Sequence, residues 1–187
     1  LNSVSGDHRQ SNLLFKNDGT GLYTDVSKSS GVLDTGQRIH RSAMFADYDN
    51  DGRIDMFVTV NGQQVEDGKG NTIYDENQGK GILFQNQTET KNNWVKIRLE
   101  GTESNRDAYG ASVSVLINGI KQKQFLVSGQ GYFSNHAQEL YFGLGTSIVI
   151  DNIEVKWPNG LRQSFEGVQP NQTLLFVEGK ANYHKIK

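Results

Sequence analysis

The chain has 187 residues, no cysteine, a formal net charge of −2, and 21 glycines against 2 prolines. That length can bury a core without covalent staples, and the lack of cysteine removes disulfides, zinc thiolates and thiol nucleophiles while leaving the compartment open. With that net charge and no lysine or arginine beside another, non-specific nucleic-acid binding has no electrostatic footprint in the sequence. No run approaches the roughly 18 to 20 apolar residues of a membrane-spanning segment. Helical periodicity is hard to find, and short strands between glycine turns predict an all-β protein. The opening Leu1-Asn2-Ser3-Val4 has neither an initiator methionine nor a signal pattern, so the chain is expected to belong to a longer polypeptide.

In chain order, Asn12-Leu13-Leu14-Phe15-Lys16-Asn17 recurs as Gly81-Ile82-Leu83-Phe84-Gln85-Asn86, an offset of 69 residues that suggests blade-like units. Between the copies, Gly21 to Val26 alternates like a strand. Ser42-Ala43-Met44-Phe45 leads into an acidic loop, and Asp55 to Val60 answers it as the second arm of a hairpin. The polar stretch Asn61 to Lys80 reads as a surface loop.

The loop Asp47-Tyr48-Asp49-Asn50-Asp51-Gly52-Arg53-Ile54-Asp55 carries the most chemistry. Ca²⁺ takes six to eight oxygens at about 2.3–2.6 Å, and a chain that alternates ligand and spacer brings Asp47, Asp49 and Asp51 to one side. Gly52 allows the sharp turn, the carbonyl of Arg53 points inward, and Asp55 closes the shell. The twelfth position holds Val58 where a helix-loop-helix calcium site needs a bidentate acid, so the EF-hand is excluded. The alternative is a solvated acidic turn without metal, which leaves four carboxylates repelling one another.

From Asn92 the alternation tightens and a second domain is expected, with the boundary between Glu89 and Asn93. Trp94, Lys96 and Arg98 fall on one face of a strand, and Val95, Ile97 and Leu99 on the other. Ser112–Ile117 and Ile120–Val127 flank Asn118-Gly119, the signal for a type I′ hairpin. Further strands are expected at Glu139–Phe142, Ile148–Trp157, Leu161–Phe165 and Thr173–Val177. Seven short strands argue for an antiparallel β-sandwich.

Two resemblances follow. The acidic loop with its ninth-position aspartate, together with Asn17-Asp18-Gly19-Thr20-Gly21-Leu22-Tyr23, resembles the FG-GAP (VCBS-type) repeat of integrin-like β-propellers. One unit cannot close a ring of roughly four to eight blades, so residues 1–91 are expected to be a partial propeller-like segment, the end of a larger propeller. Asn93-Trp94-Val95-Lys96-Ile97-Arg98-Leu99, Gly101 to Ala111, Phe142-Gly143-Leu144-Gly145 and Val155-Lys156-Trp157-Pro158-Asn159-Gly160 resemble the ASPIC/UnbV domain, placing that domain at 92–187. It typically follows FG-GAP repeats in secreted proteins, including the cartilage acidic protein family and many bacterial surface proteins.

The remaining candidates weigh toward structure. His8, His40, His136 and His184 lack metal-binding spacing. No nucleophile elbow or phosphate-cradling loop is present. Ser104-Asn105-Arg106-Asp107 is better explained by turn capping than by ligand recognition, and Trp94 and Trp157 by packing. Asn86-Gln87-Thr88 and Asn171-Gln172-Thr173 are acceptor sequons for N-glycosylation.

The expectation is a non-enzymatic, calcium-stabilised module, extracellular or at the cell surface, for adhesion, surface assembly or protein interaction. Its partner is a protein or glycan, and self-assembly into a filament stays open. Carbohydrate capture with Tyr132 or Tyr109 as the platform is the second reading, and the tail of a larger propeller enzyme the third.

Overall fold

The computed structural model describes residues 10–35, 38–66, 68–75 and 79–186, which leaves His8 and the first residues outside the description. The described residues form an all-β fold, with one 3-10 turn among them at Val32–Thr35. Among the described residues no helix is long and apolar enough to cross a membrane. The chain groups into two compact units. The first takes Leu1–Met44, Asp55–Gln85 and Gly131–Ser134, and the second takes Phe45–Ile54, Asn86–Gln130 and Asn135–Lys187.

The first half of the chain supplies β1 (Phe15–Asn17), β2 (Tyr23–Asp25), β3 (Ile39–Ala46), β4 (Asp55–Asn61), β5 (Gln63–Glu66), β6 (Thr72–Asp75) and β7 (Ile82–Phe84). They form a β1-β2 pair, a three-stranded β3-β4-β7 sheet and a β5-β6 pair, with no closed propeller among the described residues. The turn from β1 to β2 is locally encoded. Asn17 Oδ1 accepts from the Gly19 amide at 2.8 Å, and Asp18 Oδ1 from the Thr20 amide at 2.7 Å, as turn-forming side chains do. The repeat copies part company, since β1 pairs with β2 whereas β7 pairs with β4. The stretch expected as a polar surface loop instead folds back as the β5-β6 hairpin. Its sequence hid this, because a hairpin in polar residues is set by cross-strand pairing rather than by an apolar alternation.

The second unit contains β8 (Asn93–Glu100), β9 (Ser112–Ile117), β10 (Ile120–Phe125), β11 (Glu139–Gly145), β12 (Ile150–Lys156), β13 (Arg162–Val168), β14 (Gln172–Val177) and β15 (His184–Ile186). They make two four-stranded sheets, β10-β9-β12-β13 and β11-β8-β14-β15. Every pair is antiparallel except β14 with β8. One hydrophobic cluster draws on both sheets: Val95, Ile97 and Leu99 of β8, Val113 and Val115 of β9, Phe142 of β11, Ile153 and Val155 of β12, and Leu174 and Phe176 of β14. The Val95/Ile97/Leu99 alternation read from the sequence is thus the core face of β8. Asn118 and Gly119 both have positive φ, 49° and 77°, as a type I′ turn requires. β15 lies beyond the last strand expected from the sequence.

Glu178, just past β14, is buried. Its Oε2 accepts hydrogen bonds from the amides of Thr102, Glu103 and Ser104 at 2.8, 2.9 and 2.7 Å, and Oε1 accepts from the Ser104 hydroxyl at 2.8 Å. Asn105 receives the Tyr109 amide at 2.8 Å and donates to the Tyr109 carbonyl at 2.9 Å. The segment 102–105 is therefore a capped loop, as its residue types imply. Burial works against the ionised form of Glu178, but its four donors outweigh burial and hold the carboxyl below its ordinary value of 4.5. A carboxylate held low in the folded chain contributes stability that is complete above its unfolded pKa and lost as pH falls through the folded one. Glu178→Gln should cost about 2 kcal/mol at neutral pH in urea unfolding. The gap between wild type and variant should close as pH drops below 4.5.

Candidate metal centre

Residues 47–54 join β3 to β4, and two backbone features let so short a segment curl. Asn50 and Gly52 have φ of 60° and 88°, the left-handed region that asparagine and glycine tolerate best. A Cβ at Gly52 would lie 2.0 Å from Nε1 of Trp94. Gly52 is therefore required twice, by its φ and by the indole lying against it. Trp94 packs on this loop and is no open platform.

Asp47 and Asp55 are buried and Asp49 is exposed, and one carboxylate oxygen from each lies within 4.8 Å of the others. Oxygens about 2.4 Å from a shared centre lie at most about 4.8 Å apart, so three hard anionic donors at this spacing suit a calcium ion. Asp47 is also the loop's internal anchor. Its Oδ1 accepts from the Asp51 amide at 3.0 Å, and its Oδ2 from the Gly52 amide at 3.2 Å. Asp49 Oδ1 accepts from the Asp51 amide at 3.2 Å.

Asp51 stands apart from the cluster. Its carboxylate takes the Arg53 amide at 2.8 Å and pairs with the Arg53 guanidinium. Arg53 in turn donates from Nε to the Asn86 carbonyl at 2.6 Å, and Asn86 donates to the Ile54 carbonyl at 3.2 Å. Of the five positions singled out in the sequence, the structure brings together the carboxylates of Asp47, Asp49 and Asp55, while the side chains of Asp51 and Arg53 engage each other.

The sequence did not disclose Lys96. Its alternation places it on the polar face of β8, yet its side chain is only 2% exposed. Nζ donates to Asp47 Oδ2 at 3.1 Å and to Asn50 Oδ1 at 2.9 Å. Glu139 Oε2 lies 3.9 Å away, and the Tyr141 ring centroid 5.9 Å. The Tyr141 hydroxyl donates to Glu139 Oε2 at 2.7 Å and accepts from the Asp47 amide at 3.2 Å. Burial, with the two carboxylates beside it, pushes the Tyr141 phenol well above its ordinary value, so it remains a neutral donor. No local signal marks Lys96, because its partner lies 49 residues earlier.

Among the described residues this is the one group of three or more metal-ligating side chains, and no histidine belongs to it. His40 is tied to the Gln10 carbonyl at 3.0 Å, with burial lowering its pKa. Both sequon asparagines are engaged. Asn86 makes the bond to Ile54 above, and Asn171 accepts from the Trp94 amide at 3.1 Å and donates to Asn93 at 2.7 Å. Trp157 is buried in the core cluster and donates to Gln163 at 2.6 Å. Tyr109 is half-buried against the core, and its hydroxyl accepts from the Gln138 side chain.

The two-sheet unit is where the chain resembles a known family, since the family described as ASPIC and UnbV matches residues 101–183. No curated protein matches the chain. Among solved structures the chain is similar to a leucine-rich repeat protein from Bacteroides thetaiotaomicron VPI-5482, at 9% identity and a TM-score of 0.22. That alignment covers 94% of this chain but 24% of that one, and at such a score it carries no argument about fold or function.

Truncating one partner of a buried ion pair strands the other charge, so Lys96→Met should destabilise by about 3–5 kcal/mol in calcium-free buffer. Adding Asp47→Asn should recover at least about 1 kcal/mol, and strictly additive losses in urea unfolding would refute the coupling. Gly52→Ala should cost about 2 kcal/mol or more and alter the Trp94 fluorescence of the folded state.

Proposed function

We propose that the chain is a non-enzymatic, calcium-stabilised extracellular or cell-surface module serving adhesion, surface assembly or protein interaction. In this reading residues 1–91 are an FG-GAP (VCBS-type) segment, and residues 92–187 are an ASPIC/UnbV β-sandwich. The observation that carries the reading is the convergence of Asp47, Asp49 and Asp55 within 4.8 Å.

The donor set supports it. Lys96 pairs with Asp47 and Arg53 with Asp51, and Asp49 and Asp55 bring two further carboxylates to the same short loop, a concentration of hard anionic oxygens that suits a divalent cation. Asp47, Asp49 and Asp55 would hold the ion with the Arg53 carbonyl, and Asp51 would join by giving up its bond to Arg53. An ion held this way stiffens a turn. Calcium surrounded by carboxylates has little open coordination and is a weak Lewis acid, so the reading includes no catalysis by the chain itself.

Extracellular calcium near ~2 mM, acting on a site with a dissociation constant of ~10⁻⁴ M, would stabilise the fold by about 2 kcal/mol. Thermal unfolding should shift upward by several degrees in calcium relative to chelator, and Asp49→Asn and Asp55→Asn should each abolish most of that shift. Identical melting with calcium and with chelator would overturn the reading.

A further inference from the structure

Gly131-Tyr132-Phe133-Ser134 forms a two-residue turn in the first unit. The Gly131 amide donates to the Ser134 carbonyl at 3.3 Å, and the two residues form an isolated bridge. The second central residue, Phe133, has φ of 50°. Glycine or asparagine normally takes such a position, and a bulky aromatic there is strained. Burial of the ring would ordinarily offset that strain, yet Phe133 is 93% exposed and Tyr132 54%. The rings meet edge to face, with centroids 4.8 Å apart. The turn thus holds two aromatic rings in water on a strained backbone, with no burial of the Phe133 ring to offset the strain, the pattern expected where strain serves a binding site.

Beside the rings lies an open cleft of about 410 Å³, lined by Arg41, Ser42 and Met44 of β3, Thr59 and Asn61 of β4, and Ser134. Its hydroxyls are already engaged. Ser42 and Ser134 share a 2.5 Å hydrogen bond, and Thr59 accepts from the Ser42 amide at 3.0 Å. Exposed Arg41 and Asn61 have no side-chain hydrogen-bond or ion-pair partner among the described residues. A lipid or apolar peptide would find one further apolar side chain here, Met44. A sugar ring presents an apolar C–H face rimmed by hydroxyls, and a carboxylate on it would suit a free guanidinium, which binds such groups through two parallel hydrogen bonds.

We propose that the cleft formed by Tyr132, Phe133, Arg41 and Asn61 binds an acidic saccharide, with the sugar face against the exposed rings and its carboxylate on Arg41. None of these residues belongs to the acidic loop, so the site stands or falls separately from the calcium reading. The test titrates the whole chain with tetragalacturonate, and with the neutral tetramer of galactose, by heteronuclear NMR in buffers with and without calcium. The acidic tetramer should shift the amides of 131–134 and bind at least about tenfold more tightly than the neutral one. Phe133→Asn, which suits the left-handed backbone, and Arg41→Gln should each weaken binding about tenfold, with melting unchanged or raised. Failure to bind the acidic tetramer, equal affinity for both tetramers, or binding that survives Phe133→Asn would overturn the proposal. A normal calcium-dependent melting shift in the same samples would leave the metal reading intact.

Discussion

The ion pair between Lys96 and Asp47 anchors the acidic loop to β8 within the second unit. A lysine ammonium is almost never fully buried without partners, and Lys96 has three oxygen groups and an aromatic face around it. Desolvating both charges is expensive, and their attraction repays it only when further hydrogen bonds satisfy the remaining valences. Those bonds come from the loop itself, where the amides of Asp51 and Gly52 reach Asp47. The turn's curvature, the glycine under Trp94 and the burial of Lys96 are therefore consequences of one another.

Two buried acids, Glu178 and Asp47, differ in the groups that surround them. Glu178 receives three amides and a hydroxyl on one carboxylate, which leaves it stable as an anion with no need of a cation. Asp47 also receives two amides and pairs with Lys96, but it shares its surroundings with the carboxylates of Asp49 and Asp55. The first arrangement ties β14 to the loop after β8. The second gathers three carboxylates at short range beside Lys96.

The aromatic residues divide in the same way. Phe165, Phe176 and Tyr183 meet in tilted and edge-to-face contacts at centroid distances of 4.5 to 6.0 Å in and against the second unit's core, where burial of their area stabilises the fold. Tyr132 and Phe133 make a contact of similar geometry with each other in water, on a turn whose backbone disfavours Phe. Packing explains the first group fully and leaves the second without a structural role.

Much was legible in the sequence because it is written in a few neighbouring residues. The alternation of β8, the Asn118-Gly119 turn and the aspartate spacing of the acidic loop each depend on side chains within one strand or turn, where period and backbone preference act directly. The ordered motifs from Gly101 to Gly160 likewise pointed to the ASPIC and UnbV family that matches 101–183. The tertiary structure alone decided the β5-β6 hairpin, the capture of Asp51 by Arg53, and the choice of Asp55 over Asp51 as the third converging carboxylate. It alone placed Lys96 beneath the loop and left Phe133 in water. Each of these outcomes turns on which groups meet across the fold and on how much water the packing removes from them, and local periodicity carries no information about either.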